Sequence, residues 1–173
     1  MQQKPELDPS HLSNFMQVNQ IPGEILHLEV PTPTVEAAAA AVGTEPDNIV
    51  KSLLFYVGEG YILAITCGAE HIERRALAVH FMVGRKKVKL ADPLTVLEET
   101  GFQVGAMPPF GHLSPLPTII DRRVLEKQVV YAGGGSEHTL LRIKPETILS
   151  VTNAQVLDLL IPPNQDGNTR ADS

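Results

Sequence analysis

Two β-rich runs separated by three residues do most to limit how this chain folds. Residues 49–57 (Ile-Val-Lys-Ser-Leu-Leu-Phe-Tyr-Val) and 61–67 (Tyr-Ile-Leu-Ala-Ile-Thr-Cys) are rich in β-branched, aromatic and aliphatic side chains, and Gly58-Glu59-Gly60 stands between them. The pattern predicts a β-hairpin with a three-residue loop. Further strands are predicted at 25–30, 88–90, 118–121, 128–132 and 139–143, the last two flanking Gly133-Gly134-Gly135.

Helices fall between the strands. Asp8-Pro9-Ser10 caps a short helix carrying Leu12, Phe15 and Met16, and Thr34 caps an alanine-rich helix over 35–42 that Gly43 stops. Residues 72–81 are helical in pattern. Asp92-Pro93 starts a helix that Gly101 ends, and 122–127 forms one or two helical turns. Lys144-Pro145-Glu146 reads as a turn, with Asn153 capping a last helix over 154–160. Strands and helices are interspersed without regular βαβ repetition. The expected fold is therefore α+β: a single compact domain with a mostly antiparallel, curved sheet flanked by short helices.

The length of 173 residues suits one domain, placed at 1–161, with a disordered polar tail at 162–173. No apolar run is long enough to span a bilayer, and the N-terminus lacks the apolar core of a signal peptide. Cys67 is the only cysteine and has no internal disulfide partner. These features point to the cytoplasm and away from a membrane. The formal net charge of −6 argues weakly against nucleic acid. Between Glu73 and Asp92, however, Arg74, Arg75, Arg85, Lys86, Lys87 and Lys89 face only those two acids, a local surplus of four positive charges. Such a stripe either holds a phosphate backbone or is a solvated surface.

Three places could carry chemistry. Lys51 lies among apolar neighbours on a strand; it either snorkels its ammonium to an edge or sets a cation at the mouth of a pocket. The loop Gly105-Ala106-Met107-Pro108-Pro109-Phe110-Gly111-His112 is either a tight connector or a rigid cradle. As a cradle, its backbone amides can hold an oxyanion. Gly133-Gly134-Gly135-Ser136-Glu137-His138 lacks the lysine and the serine or threonine of a Walker loop, which excludes nucleotide triphosphate binding; His138 could orient water or touch ribose. The six histidines form no H-x-x-x-H or H-x-H pair, so neither a metal nor a cofactor is expected. No G-x-S-x-G elbow supports a serine triad, and Cys67 reads as a strand core residue.

The order of these motifs is more specific than any one of them. Ile-Val-Lys-Ser-Leu-Leu-Phe at 49–55 follows the alanine-rich helix. Gly-Arg-Lys-Lys-Val-Lys-Leu-Ala-Asp-Pro occupies 84–93, and G-x-x-x-P at 105–109 continues into Phe110-Gly111. Pro-Thr-Ile-Ile-Asp at 117–121 then leads to the glycines and His138. Over residues 30–151 the chain resembles the YbaK/EbsC family, free-standing relatives of the editing insertion of bacterial prolyl-tRNA synthetase.

The resemblance implies a trans-editing hydrolase that deacylates mischarged aminoacyl-tRNA without a metal, with alanyl- or cysteinyl-tRNA(Pro) as the expected substrate. It implies a catalytic set of Lys51, Gly105 and His138, and substrate contacts from Ala106, Met107, Pro108, Pro109, Phe110, Gly111, Gly133, Gly134 and Gly135. Arg85, Lys86, Lys87 and Lys89 are the expected tRNA contacts. The implied partners are the acceptor end of a mischarged tRNA and, secondarily, prolyl-tRNA synthetase. Water attack on the ester with backbone oxyanion stabilisation is the expected chemistry; a substrate cysteine could instead supply its own thiol. The competing reading is a non-catalytic module of the same fold that binds tRNA or a synthetase.

Overall fold

The computed structural model describes residues 4–160. The predicted polar tail at 162–173 lies outside them.

The hairpin forms as β2 (Val50–Val57) and β3 (Gly60–Cys67), paired antiparallel from Val50↔Cys67 to Val57↔Gly60. Its loop has two residues rather than three, because Gly60 joins the ladder. Gly58 takes the first central position at φ +63°, where two-residue hairpin loops favour glycine. Before the hairpin come α1 (Pro9–Val18), β1 (Glu24–His27) and α2 (Val35–Val42). Asp8 caps α1 by accepting from the Ser10 and His11 amides; these bonds and those from the two side chains hold its carboxyl down at about 2. Thr34 caps α2 and Gly43 closes it at φ +69°.

After the hairpin the chain forms α3 (Arg74–Phe81), β4 (Val88–Leu90), α4 (Pro93–Thr100) and β5 (Thr118–Asp121). A 3₁₀ segment over Arg122–Glu126 leads to β6 (Val130–Gly133) and β7 (Thr139–Ile143), then α5 (Pro145–Thr152) and β8 (Gln155–Leu157).

The strands make two open sheets, β4-β2-β3-β5-β8 and β1-β7-β6. Four of the six pairings are antiparallel; β5 runs parallel to β3, and β8 parallel to β5. A parallel bridge between Ile49 and Tyr131 ties the sheets together. The α+β expectation holds, with mixed pairing in the larger sheet. Alternation along the hairpin fills both of its faces. Val50, Leu54, Leu63 and Ile65 pack with Phe102, Met107, Leu141 and Ile148 on one side; Phe55, Ile62 and Ala64 pack with Leu77, Val88 and Leu159 on the other.

The C-terminal elements differ from expectation. Lys144-Pro145-Glu146 opens a helix rather than a turn, with Pro145 at its first position, where the missing amide costs nothing. Asn153 ends that helix in the left-handed region at φ +50° instead of starting another. The predicted helix over 154–160 is instead β8 and an extended segment. The buried Asp121 carboxylate fixes that segment by accepting the Leu159 amide at 2.6 Å and the Leu160 amide at 3.3 Å.

Candidate active site

β4 pairs only with Phe55–Val57, the last residues of β2, and β6 lies beside the first half of β2 from the Ile49–Tyr131 bridge onward. A cavity of about 240 Å³ stands there. Its walls come from α2 and the residues before it (Thr32, Pro33, Thr34, Val35, Ala38), from β2 (Lys51, Ser52, Leu53, Leu54), from the end of β4 (Leu90, Ala91), and from Val96, Val104, Gly105, Met107, Gly133 and Leu140. Lys51 and Gly105, far apart in sequence, therefore meet around one largely apolar space.

Lys51 is partly buried. Burial pulls its pKa below the ordinary lysine value, and the nearby Glu36 charge opposes that pull. Among the described residues it is the only charged one in the cavity wall, so a negative or strongly polar ligand group entering the cavity has that cation to meet there. Gly105 holds φ +85°, a conformation that favours glycine, and a Cβ built on it would meet nothing within 4 Å. Thr32, Pro33, Val104 and Gly105 also line a second, more polar cleft with Glu6, Asp8, Gln103 and Glu137, so Gly105 sits at the junction of the two.

The rest of the 105–112 loop divides by depth. Met107 reaches the cavity and Ala106 the polar cleft. Pro108, Pro109 and Phe110 are buried away from both; Phe110 stacks on Phe15 at 5.8 Å, and Gly111 lies against the same ring. His112 Nε2 donates to the Pro108 carbonyl at 2.8 Å, and burial holds the ring's pKa below its usual value, so a neutral imidazole clasps the loop.

Two of the three glycines, Gly133 and Gly135, seat this loop, and Gly134 packs against Thr139. A Cβ on Gly133 would lie 2.4 Å from the Met107 carbonyl oxygen, one on Gly134 2.8 Å from Thr139, and one on Gly135 2.9 Å from the Pro9 nitrogen. The Gly135 amide also donates to the Ala106 carbonyl at 2.9 Å. Gly133 lines the cavity, Gly135 the polar cleft, and Gly134 neither. His138 is exposed, 3.8 Å from the Glu137 carboxylate, and stands outside both walls. Cys67 is buried, its thiol pushed up to about 11 by desolvation, and it does not touch the cavity.

Arg85, Lys86 and Lys87 form a 3₁₀ turn and Lys89 follows on β4; all four are exposed, and none forms an ion pair among the described residues. The stripe thus runs along the edge strand that ends at the cavity wall. Among the described residues, no group of three or more His, Cys, Asp or Glu is arranged to hold a metal, and no helix is long and apolar enough to cross a membrane.

The sequence did not single out Thr32, Thr34, Val35, Ala38, Leu90, Val96, Val104 or Leu140 as cavity walls. The alanine run of α2 was the one available signal, since small side chains let a helix approach a pocket closely.

A family model for the aminoacyl-tRNA editing domain matches residues 29–151. EbsC of Enterococcus faecalis, named as a candidate Cys-tRNA(Pro)/Cys-tRNA(Cys) deacylase, is 25% identical over 127 residues, which is 73% of this chain and 76% of that one. A proline–tRNA ligase of Thermotoga neapolitana is 35% identical over 86 residues, 48% of this chain and 15% of the ligase. The fold matches the crystal structure of a candidate trans-editing enzyme for prolyl tRNA synthetase with a TM-score of 0.82 and 32% identity, covering 88% of this chain and 96% of that one.

Proposed function

This chain belongs to the aminoacyl-tRNA editing domain family, and from that membership we propose that it is a cytoplasmic trans-editing hydrolase that deacylates a mischarged tRNA(Pro). The observation that carries the reading is the meeting of Lys51 and the Gly105 loop around one apolar cavity. Val35, Ala38, Leu54, Val96 and Met107 suit a small neutral amino-acid side chain, alanyl or cysteinyl, and offer nothing to a charged one. A second hydrolytic site is useful here because one methylene changes binding by only about 1–3 kcal/mol, too little for a synthetase pocket to reject near-isosteres.

The aminoacyl ester is already activated. Water attacks its carbonyl carbon; amides near Gly105 stabilise the oxygen as charge develops, the C–O bond to the ribose breaks, and the ribose oxygen leaves as a hydroxyl with the proton that the attacking water gives up. Lys51 anchors the substrate end of the tRNA. No enzyme nucleophile enters the scheme, since Cys67 is buried and outside the cavity wall. His138 is given no step, because it stands outside the wall as well. The basic stripe meets tRNA phosphates.

Lys51→Ala tests the scheme. Deacylation should fall at least about a hundredfold, the order lost with a transition-state contact, while the melting temperature stays close to wild type. Near-normal deacylation would reduce Lys51 to a snorkelling strand residue. Full loss of fold would make its importance structural.

A further inference from the structure

Among the described residues, two buried side-chain oxygens find no hydrogen-bond partner: Ser52 Oγ and Thr66 Oγ1. Thr66 stands opposite Lys51 in the hairpin ladder and outside the cavity wall, whereas Ser52 is part of that wall. The wall's other hydroxyls are engaged. The Thr34 oxygen accepts the Ala37 amide at 3.1 Å, and the Thr32 hydroxyl donates to the Glu137 carbonyl at 3.2 Å. A buried hydroxyl without a partner is costly, and an alanine in its place would carry no such cost. The cavity is where a partner can still come from.

Strand alternation decides which part of a ligand meets it. Ser52 shares its face of β2 with Val50 and Leu54, which pack with Val96 and Met107 in one core; all five line the cavity. Lys51 and Leu53 lie on the other face. Leu54, Val96 and Met107 are walls assigned above to the amino-acid side chain, and Lys51 is assigned the tRNA end. The Ser52 hydroxyl is thus a polar spot on the side of the cavity that takes the side chain. Its oxygen lies beneath the wall surface, although Ser52 as a whole is only partly buried. A change of χ1 between staggered positions turns it toward an incoming group.

We propose that Ser52 is a specificity-determining residue whose hydroxyl hydrogen-bonds a thiol or hydroxyl on the β-carbon of the esterified amino acid. This rests on the deacylase reading given above and narrows its substrate class: seryl or cysteinyl esters are preferred over side chains that cannot hydrogen-bond. A serine hydroxyl both donates and accepts, so it matches either group. An ethyl side chain fills the same space but leaves the hydroxyl unpaired. Sites with a polar group to satisfy reject such analogues far more strongly than apolar pockets reject a difference in size.

The test compares side chains of matched size. Deacylation is measured for wild type and Ser52→Ala on tRNA(Pro) carrying serine, cysteine or 2-aminobutyrate, whose ethyl group has no hydrogen-bonding atom. Wild type should favour the seryl or the cysteinyl ester, or both, over the 2-aminobutyryl ester by about tenfold or more in kcat/KM. Ser52→Ala should bring that preference to within a few-fold of one, and the ester that responds identifies the group that is read. Equal wild-type rates on the three esters, or a preference for 2-aminobutyryl, overturn the assignment. So does a preference that Ser52→Ala leaves in place, which would belong to the substrate's own chemistry or to another wall group. Ser52→Ala deletes an unbonded oxygen and should melt at or above the wild-type temperature. A clear fall would show that the hydroxyl holds a structural bond, and overturns the assignment too. Inactivity of wild type on these esters and on alanyl-tRNA(Pro) would instead overturn the deacylase reading, and this inference with it.

Discussion

If Lys51 anchors the substrate as proposed, the pH dependence of the reaction should follow its titration. Burial disfavours its charged form, so the folded-state pKa lies below the ordinary value of 10.5. The unfolded chain holds that proton to higher pH. The charged lysine therefore opposes folding, and its effect on stability becomes more favourable as pH rises from the folded-state pKa toward 10.5. Activity moves the other way, since the anchor loses its charge over the same window. We expect kcat/KM, corrected for spontaneous ester hydrolysis, to fall at a pH below that of free lysine, with no matching loss of melting temperature. Lys51→Arg should push that fall to higher pH. An alkaline limb that Lys51→Arg leaves in place would assign the titration to another group.

Two glycines of the same site should respond differently to a methyl group. Gly105→Ala meets open space but must hold φ +85°, a strain of about 1 kcal/mol. It should fold, melt slightly lower and lose most activity, because the methyl group sits where the ester is proposed to bind. Gly133→Ala drives a Cβ to 2.4 Å from the Met107 carbonyl oxygen, so loop backbone must shift, at about 1–3 kcal/mol. It should lose both stability and activity. Thermal melts alongside deacylation rates separate the two outcomes, and a Gly133→Ala protein as stable as wild type would show that the loop is not seated there.

At the scale of elements, β4 does two things. Lys89 on β4 and Lys86 and Lys87 in the turn before it protect the open edge of the larger sheet from pairing with another chain, a structural role that needs no tRNA. They also lead from the surface to the cavity wall at Leu90. The double variant Lys86→Glu, Lys87→Glu distinguishes the roles. If both residues meet phosphates, tRNA affinity should drop and the slope of log K against log salt should become shallower by about 0.9 per lost contact, as measured by filter binding over a salt series. An unchanged slope leaves only edge protection.

The same scale shows which elements the sequence reveals. α2 and α4 match their predicted bounds because both ends are written in side chains: Thr34 and Asp92 bond the first-turn amides, and Gly43 and Gly101 supply left-handed stops. α5 was missed because its N-cap, Lys144, makes no side-chain capping bond. Asparagine is also ambiguous, since it caps either end of a helix, and Asn153 takes the C-terminal role. β8 is three residues long and gains its partner only by tertiary contact with β5, so no local pattern announces it. Lys51 and the 105–112 loop stood out locally. That they share a cavity, that half the loop is buried support, and that His138 stands outside are consequences of packing between distant segments.

At the scale of the whole molecule, no single element makes the cavity. It opens where β4 ends too soon to cover β2, with α2, the Gly105 loop, β6 and β7 closing the other sides. Its walls are largely apolar, and among the described residues Lys51 is the one cation in them. The proposed reaction of this space is hydrolysis of a wrongly attached amino acid. The most direct measurement is deacylation by the purified chain of a panel of radiolabelled tRNAs, alanyl-, cysteinyl-, seryl-, threonyl- and prolyl-tRNA(Pro). A small neutral misacylated ester, alanyl or cysteinyl foremost, should be turned over, with prolyl-tRNA(Pro) spared. Tight tRNA binding without hydrolysis of any of the five would contradict it and leave a binding module in its place.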